Sequence, residues 1–260
     1  MAEDNNDDPV YFFVAHEITD PDAWGEIYHI IVEKCKSPFV DIIADNFWGG
    51  YEPIMSVSSD DGDYSCCVWR SKPGSNIESF SSFINNLTGR AATNSPAPIQ
   101  MQIGAAAMCG GAWINDIKRM TKYGHALAYA GGEGQLYCVR QHIQKRVEYA
   151  AFNAKNALIA QHSKTKDELL EGWKVPAGCY PLFTAYLSGD LGAMCIWEVP
   201  KKFNLVDFQS MIDGLTHDLT ENTPVFKVNH ATLINGRLLH FDFYFHEAVV
   251  AAQSTPRPTM

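Results

Sequence analysis

Residues 67–96, CVWRSKPGSNIESFSSFINNLTGRAATNSP, return at 195–224 as CIWEVPKKFNLVDFQSMIDGLTHDLTENTP, at a constant offset of 128 and without a gap. The identical pairs include Cys67/Cys195, Trp69/Trp197, Phe80/Phe208, Ser82/Ser210, Ile84/Ile212, Leu87/Leu215, Thr88/Thr216, Asn94/Asn222 and Pro96/Pro224. Ungapped self-similarity of this kind marks a duplicated supersecondary unit. It predicts two copies of one fold in a single chain.

The flanking sequence supplies the rest of each copy. Tyr11–Ile18 is a β-rich run, and Thr19-Asp20-Pro21-Asp22 then signals a helix start, with a capping acid and proline in the first turn. Trp24, Ile27, Tyr28, Ile31 and Cys35 follow at helical spacing. Pro53–Ser58 and Tyr64–Arg70 form a hairpin about Asp60-Asp61-Gly62-Asp63, the duplicated helix buries Ile77, Phe80, Phe83, Ile84 and Leu87, and Ile99–Ile103 closes the unit. The second copy repeats the order: strand Leu136–Ile143, helix about 147–163, strands Tyr180–Leu187 and Ala193–Val199, helix Leu205–Leu215, strand Val225–Ile234. Asn235-Gly236 then turns the chain into Arg237–His246, an added hairpin strand. The expected class is α+β, two ferredoxin-like β-α-β-β-α-β repeats. The division is an acidic lead 1–9, repeat 1 at 10–103, a helical connection 104–134 with a helix near 112–129, repeat 2 with its hairpin at 135–247, and a tail 248–260.

Composition narrows the function classes. A 260-residue chain that is 46% hydrophobic has ample core. A net charge of −10 argues against nucleic acid, and Lys118, Arg119 and Lys122 read as one solvated helix face. No apolar run is long enough for a bilayer, and the start MAEDNNDDP has no secretory pattern. Seven cysteines without CxxC spacing fit a reduced, cytoplasmic setting. The expected partner is a small molecule, with neither nucleic acid nor membrane, and oligomeric state is left open.

The run His16-Glu17-Ile18-Thr19-Asp20, followed by Trp24 and Tyr28, resembles the dimeric α+β barrel superfamily, as do the Cys-x-Trp strand and the Asn-x-Pro approach to the last strand. The resemblance implies that two ferredoxin-like units pair their sheets into a barrel with a ligand site inside, here as a pseudo-dimer within one chain. The superfamily includes cofactor-free monooxygenases, polyketide cyclases, haem-binding and haem-degrading proteins, metal binders and stress-response proteins. No motif requires a cofactor, and the resemblance leaves haem or a divalent metal open. Aligning Tyr137 with Tyr11 puts His142 opposite His16, and Arg146, Ala150 and Ala154 where Asp20, Trp24 and Tyr28 stand.

Trp69 and Trp197 are core aromatics repeated by duplication or the lining for a planar ligand. His16 and His142 are candidates to meet across the barrel as base or ligand, against the reading of a satisfied core histidine. On the C-terminal hairpin, His240, Asp242, Tyr244 and His246 share one strand face, either a solvated edge or the best polar lining in the chain. The expected catalytic set is His16, Tyr28, His240 and Asp242. Trp24, Trp69, Trp197, His142, Tyr244 and His246 are the expected ligand contacts, and no metal set is assigned. Function is expected to be small-molecule binding or catalysis on an apolar or aromatic ligand inside the barrel, with proton transfer or cofactor-independent oxygenation as the chemistry. The alternatives are a non-catalytic structural or interaction module with a filled barrel, and a haem- or metal-binding barrel.

Overall fold

The structure, a computed structural model, describes residues 10–35, 48–104, 134–163, 166–188 and 191–229. Repeat 1 runs β1 (Val10–Ile18), α1 (Pro21–Cys35), β2 (Tyr51–Ser58), β3 (Tyr64–Ser71), α2 (Ile77–Thr88) and β4 (Ala92–Gly104). Repeat 2 runs β5 (Gly134–Ile143), α3 (Arg146–His162), α4 (Lys166–Gly172), β6 (Tyr180–Leu187), β7 (Ala193–Pro200), α5 (Leu205–Thr216) and β8 (Thr220–Lys227). The expected helix near 112–129, the hairpin after Asn235-Gly236, the acidic lead and the tail lie outside the described residues.

Three expectations need correction. β8 starts at Thr220, not Val225, and β4 starts at Ala92, not Ile99. The opening segments of these strands, TENTP and ATNSPAP, are polar and proline-containing, so they show no apolar alternation, yet β1 and β5 pair with them through backbone bonds. The helix α4 was not expected; it is a short KDELLEG segment that buries Leu169 and Leu170.

All strand pairs are antiparallel, in the order β2-β3-β1-β4-β6-β7-β5-β8. The ends of that order also meet. Ser59 bridges Val228, the Asn229 amide donates to the Ser58 carbonyl at 2.7 Å, and the Asp60 amide donates to the Lys227 carbonyl at 2.9 Å. The two end strands are joined at this point, which closes the eight described strands into a barrel. Two ferredoxin-like units in one chain make it, as the α+β barrel resemblance implied. Duplication reaches irregular detail: the β2/β3 bulge between Pro53 and Met55 recurs in β6/β7 between Pro181 and Phe183.

Strand alternation sorts the side chains into three layers. Phe13, Val57, Cys66, Val68, Ala97, Leu136, Cys138, Ala185, Leu187, Met194, Ile196, Phe226 and Val228 form one buried cluster inside the barrel, to which all eight strands contribute. Outside the barrel, α1 and α2 cover Phe12, Val14, Cys67 and Trp69. The repeat 2 helices cover Tyr137, Val139, Cys195, Trp197 and Val199 in the same way. Phe80 of α2 stacks on Phe12 at 4.4 Å, and Phe208 of α5 stacks on Tyr137 at 4.8 Å. Each such ring contributes roughly 2–3 kcal/mol by burial. Capping is duplicated too. Asn76 and Asn204, a further identical pair, accept from the Ser79 and Asp207 amides at 2.9 Å and close capping boxes.

Candidate functional site

His16 lies on the helix-facing side of β1 and is 2% exposed. Its ring sits 4.7 Å from that of Trp24, which α1 brings down onto it. The helix starts where expected: the Asp20 carboxylate accepts from the Ala23 amide at 3.1 Å. His16 and Trp24 line one cavity with Tyr28, Ser56, Cys67, Trp69 and apolar residues of α1 and α2. The free space has room for about one water molecule.

A chain of hydrogen bonds determines which His16 nitrogen carries the proton. The Thr88 hydroxyl donates to the Ile84 carbonyl at 3.0 Å, so toward Asn94 it can only accept. Asn94 Nδ2 donates to it at 2.7 Å and to Asn85 Oδ1 at 2.9 Å, which points Asn94 Oδ1 at His16. His16 Nδ1 therefore carries the hydrogen and donates to Oδ1 at 2.6 Å. That leaves Nε2 with its lone pair. Burial holds the His16 pKa at about 4 against a smaller opposing effect of Asn94, so the ring is neutral at physiological pH.

Cys67 and Trp69 also border the cavity. Cys67 donates its thiol hydrogen to Ser56 Oγ at 3.2 Å, and burial pushes its pKa up to about 12, which keeps the nucleophilic thiolate out of reach. The indole Nε1–H of Trp69 is buried with no acceptor among the described residues. Its repeat 2 counterpart, Trp197 Nε1–H, is in the same position.

The register corrects the alignment of the second copy. Asn94 opposes His16, whereas Asn222 opposes Gln141; likewise Cys67 opposes Val14 and Cys195 opposes Val139. Gln141, not His142, is the counterpart of His16. One residue of slip exchanges the two faces of a strand. His142 shares the inner face of β5 with Arg140, pairs with Glu221, and bonds the Thr223 carbonyl through Nε2 at 2.9 Å. It does not meet His16, which faces the helices.

The loop bonds agree with this register. Thr19 and Asp20 amides donate to Ala91, and Gln144 and Lys145 amides donate to Leu219. Lys145 thus replaces Asp20, Tyr149 replaces Trp24, and Asn153 replaces Tyr28. The Asn–Thr clamp survives, with Asn222 Nδ2 donating to Thr216 Oγ1 at 3.0 Å and to Asp213 Oδ1 at 2.8 Å. Repeat 2 keeps the polar frame but has an amide where repeat 1 has an imidazole.

Two further expectations fall to the alternation of side chains. Trp69 and Trp197 face separate helix layers and do not line the barrel interior. The inward positions beside them, Val68 and Ile196, belong to a packed lumen, so the ligand space around His16 is outside the barrel. His240, Asp242, Tyr244 and His246 lie outside the described residues. Sequence reading missed Asn94 as the residue that orients His16; its identity with Asn222 was the available signal.

The site as it stands does not fit a haem, because a cofactor of that size needs several hundred Å³ and the Trp24 ring packs against His16. Among the described residues no group of three His, Cys, Asp or Glu side chains is placed to hold a metal ion. No described helix is long and apolar enough to cross a membrane.

Residues 11–121 match a family model described as Domain of unknown function (DUF8652). No curated protein sequence matches the chain. Among solved structures, a putative monooxygenase from Lactobacillus acidophilus NCFM is similar at 10% identity and a TM-score of 0.40, over 88% of this chain and 97% of that one. Putative chlorite dismutase TA0507 is similar at 12% identity and 0.41, over 90% and 99%. Chlorite dismutase from Candidatus Nitrospira defluvii, in complex with imidazole, is similar at 15% identity and 0.41, over 91% and 94%.

Proposed function

We propose that the protein binds a small, largely apolar hydroxylated molecule, such as a phenol or aromatic alcohol, between the repeat 1 sheet and helices α1 and α2. The observation that carries this reading is an unmatched pair of polar groups on one apolar cavity. Trp69 Nε1–H has no acceptor among the described residues, and the His16 ring has its Nδ1–H committed to Asn94, so Nε2 is the acceptor. A ligand hydroxyl complements both, donating to Nε2 and accepting from the indole. Burial, which holds the His16 pKa at about 4, leaves the imidazole a hydrogen-bond acceptor and a weak base, so the site favours binding of the neutral hydroxyl over its deprotonation. The cavity has room for about one water molecule, so on this reading the ligand takes the place of the Trp24 ring against His16.

The test is a thermal-shift and tryptophan-fluorescence titration with phenol, p-cresol, indole and cyclohexanol, on the native chain and on His16→Gln and Trp69→Phe. A saturable rise in melting temperature, reduced in both variants, is expected. No saturable response to any compound, or the same response in His16→Gln, overturns it.

The packed lumen favours a second reading, a non-catalytic interaction module. Val147 (79% exposed) and Leu158 (56%) share a face of α3, eleven residues apart, and would form part of its contact surface. Under that reading the panel gives no shift, and Val147→Glu removes an association seen by analytical ultracentrifugation.

A further inference from the structure

Arg140 projects from β5 into the barrel. Its guanidinium carbon lies 5.0 Å from the ring centre of Phe13 on β1, although three strands separate β1 from β5 around the sheet. The residue is only 9% exposed. Nη2 donates to the Leu191 carbonyl at 3.1 Å, while Nη1 is buried without an acceptor among the described residues. Among the described residues no carboxylate pairs with it. The ionisable neighbours acting on it are the thiols of Cys66, Cys138 and Cys195, and burial raises the pKa of Cys138 and Cys195, which keeps those two thiols neutral. Burial lowers the Arg140 pKa only to about 10, so the group remains a cation. A buried charge is ordinarily paired, because desolvation leaves an unpaired one strongly disfavoured.

The position is an end of the barrel, not its middle. Arg140 sits in the β5/β8 bulge between Val139 and Gln141, beside the turn that leads from β6 to β7. Leu191 in that turn is 48% exposed. Gly192 packs so tightly on β5 that a Cβ there would lie 1.8 Å from the Gln141 carbonyl oxygen, which holds the Leu191 carbonyl against the guanidinium.

We propose that this end of the barrel binds a small monocarboxylate through the unpartnered edge of Arg140. One guanidinium fork matches the two oxygens of one carboxylate. A phosphate dianion is the poorer match, since a single cation cannot balance it. The lumen beyond, with Phe13, Met194, Leu187 and Phe226, is packed, so the rest of the acid stays at the barrel end beside the exposed Leu191, and the described lumen residues offer no further cation. This site is independent of the His16 reading, because Phe13 and His16 lie on opposite faces of β1.

The experiment is thermal melting of the full chain at pH 7.5 and fixed ionic strength, with sodium chloride replaced in steps by sodium acetate, propionate, benzoate or inorganic phosphate. A saturable rise of about 3 °C or more is expected for at least one carboxylate relative to chloride. It should vanish in Arg140→Gln, shrink in Arg140→Lys and persist in His16→Gln. Calorimetric titration of the unmodified chain with benzoate, at one site per chain and competed by acetate, supports the proposal even where Arg140→Gln does not fold. No saturable effect beyond chloride overturns it, as does an equal effect in folded Arg140→Gln or a larger one with phosphate. Loss of the effect in His16→Gln moves the site to the other face of the sheet and also overturns it.

Discussion

Asn94 holds His16 in a single tautomer: Oδ1 accepts from Nδ1 at 2.6 Å while the amide hydrogens of Asn94 are committed to Asn85 and Thr88. The duplicated residue Asn222 keeps the bond to threonine but opposes Gln141 in the register. Replacing Asn94 with Asp puts a negative charge against the ring and stabilises the imidazolium. The His16 pKa, about 4 in the native chain, should rise by roughly one unit or more. Titration of the histidine carbon-bound protons by NMR reads it directly; an unchanged value refutes this account of the tautomer.

Stability should fall in mild acid for the same reason. Burial depresses the folded His16 pKa to about 4 from an ordinary 6.5. Between those values the unfolded chain holds a proton that the folded chain lacks, so stability rises with pH there. The contribution is fully present above pH 6.5 and is lost as pH falls toward 4, at most roughly 3 kcal/mol. In His16→Gln, urea melts across this window should show a flatter pH dependence. An unaltered slope would place the acid sensitivity elsewhere.

The two repeats differ at the start of their first helices. Asp20 caps α1 through the Ala23 amide, whereas Lys145 at the start of α3 makes no side-chain cap bond. Asp20→Ala should cost about 1 kcal/mol in a chemical melt and leave ligand binding at the His16 cavity intact. Lys145→Asn should stabilise the chain. A destabilised Lys145→Asn would show that the exposed contact of Lys145 with Asp218 outweighs the missing cap.

Gly192 and Gly89 separate steric exclusion from backbone preference. Gly192 has φ +101 and a Cβ position filled by the Gln141 carbonyl, while Gly89 has φ +52 and open space around it. Gly89→Ala should cost roughly 1–2 kcal/mol. Gly192→Ala combines the strain with a backbone clash and should cost more than about 3 kcal/mol, or prevent folding. Comparable losses at both positions would contradict the tight approach of the β6–β7 turn to β5.

Duplication was legible because the repeated residues do local work in each copy. Thr88 and Thr216 bond the carbonyls of Ile84 and Ile212 four residues back at 3.0 Å, and Asn94 and Asn222 bond those threonines. Phe80 and Phe208 stack on the first strand of their repeats. These contacts form within one unit and leave identical residues at one spacing. The offset fails at the first strand of repeat 2: β5 follows β1 at 125 residues, not 128, because Gln141 and Pro181 are 40 positions apart where His16 and Pro53 are 37 apart. An alignment anchored on Tyr11 and Tyr137 therefore chose His142, and a single residue of error put it on the wrong face.

The sequence by itself determined the repeat, the order of strands and helices apart from α4, the Asp20 cap and the presence of His16, Trp24 and Tyr28 on consecutive elements. Each of these rests on neighbours a few residues apart. The tertiary structure decided the closure of the barrel at Ser59 and Val228, the side of the sheet that each tryptophan faces, the Gln141 counterpart of His16 and the burial of Arg140 against Phe13. Those depend on register between strands far apart in the chain. A shift of one residue there inverts every side chain, and local spacing carries no record of which register packing selects.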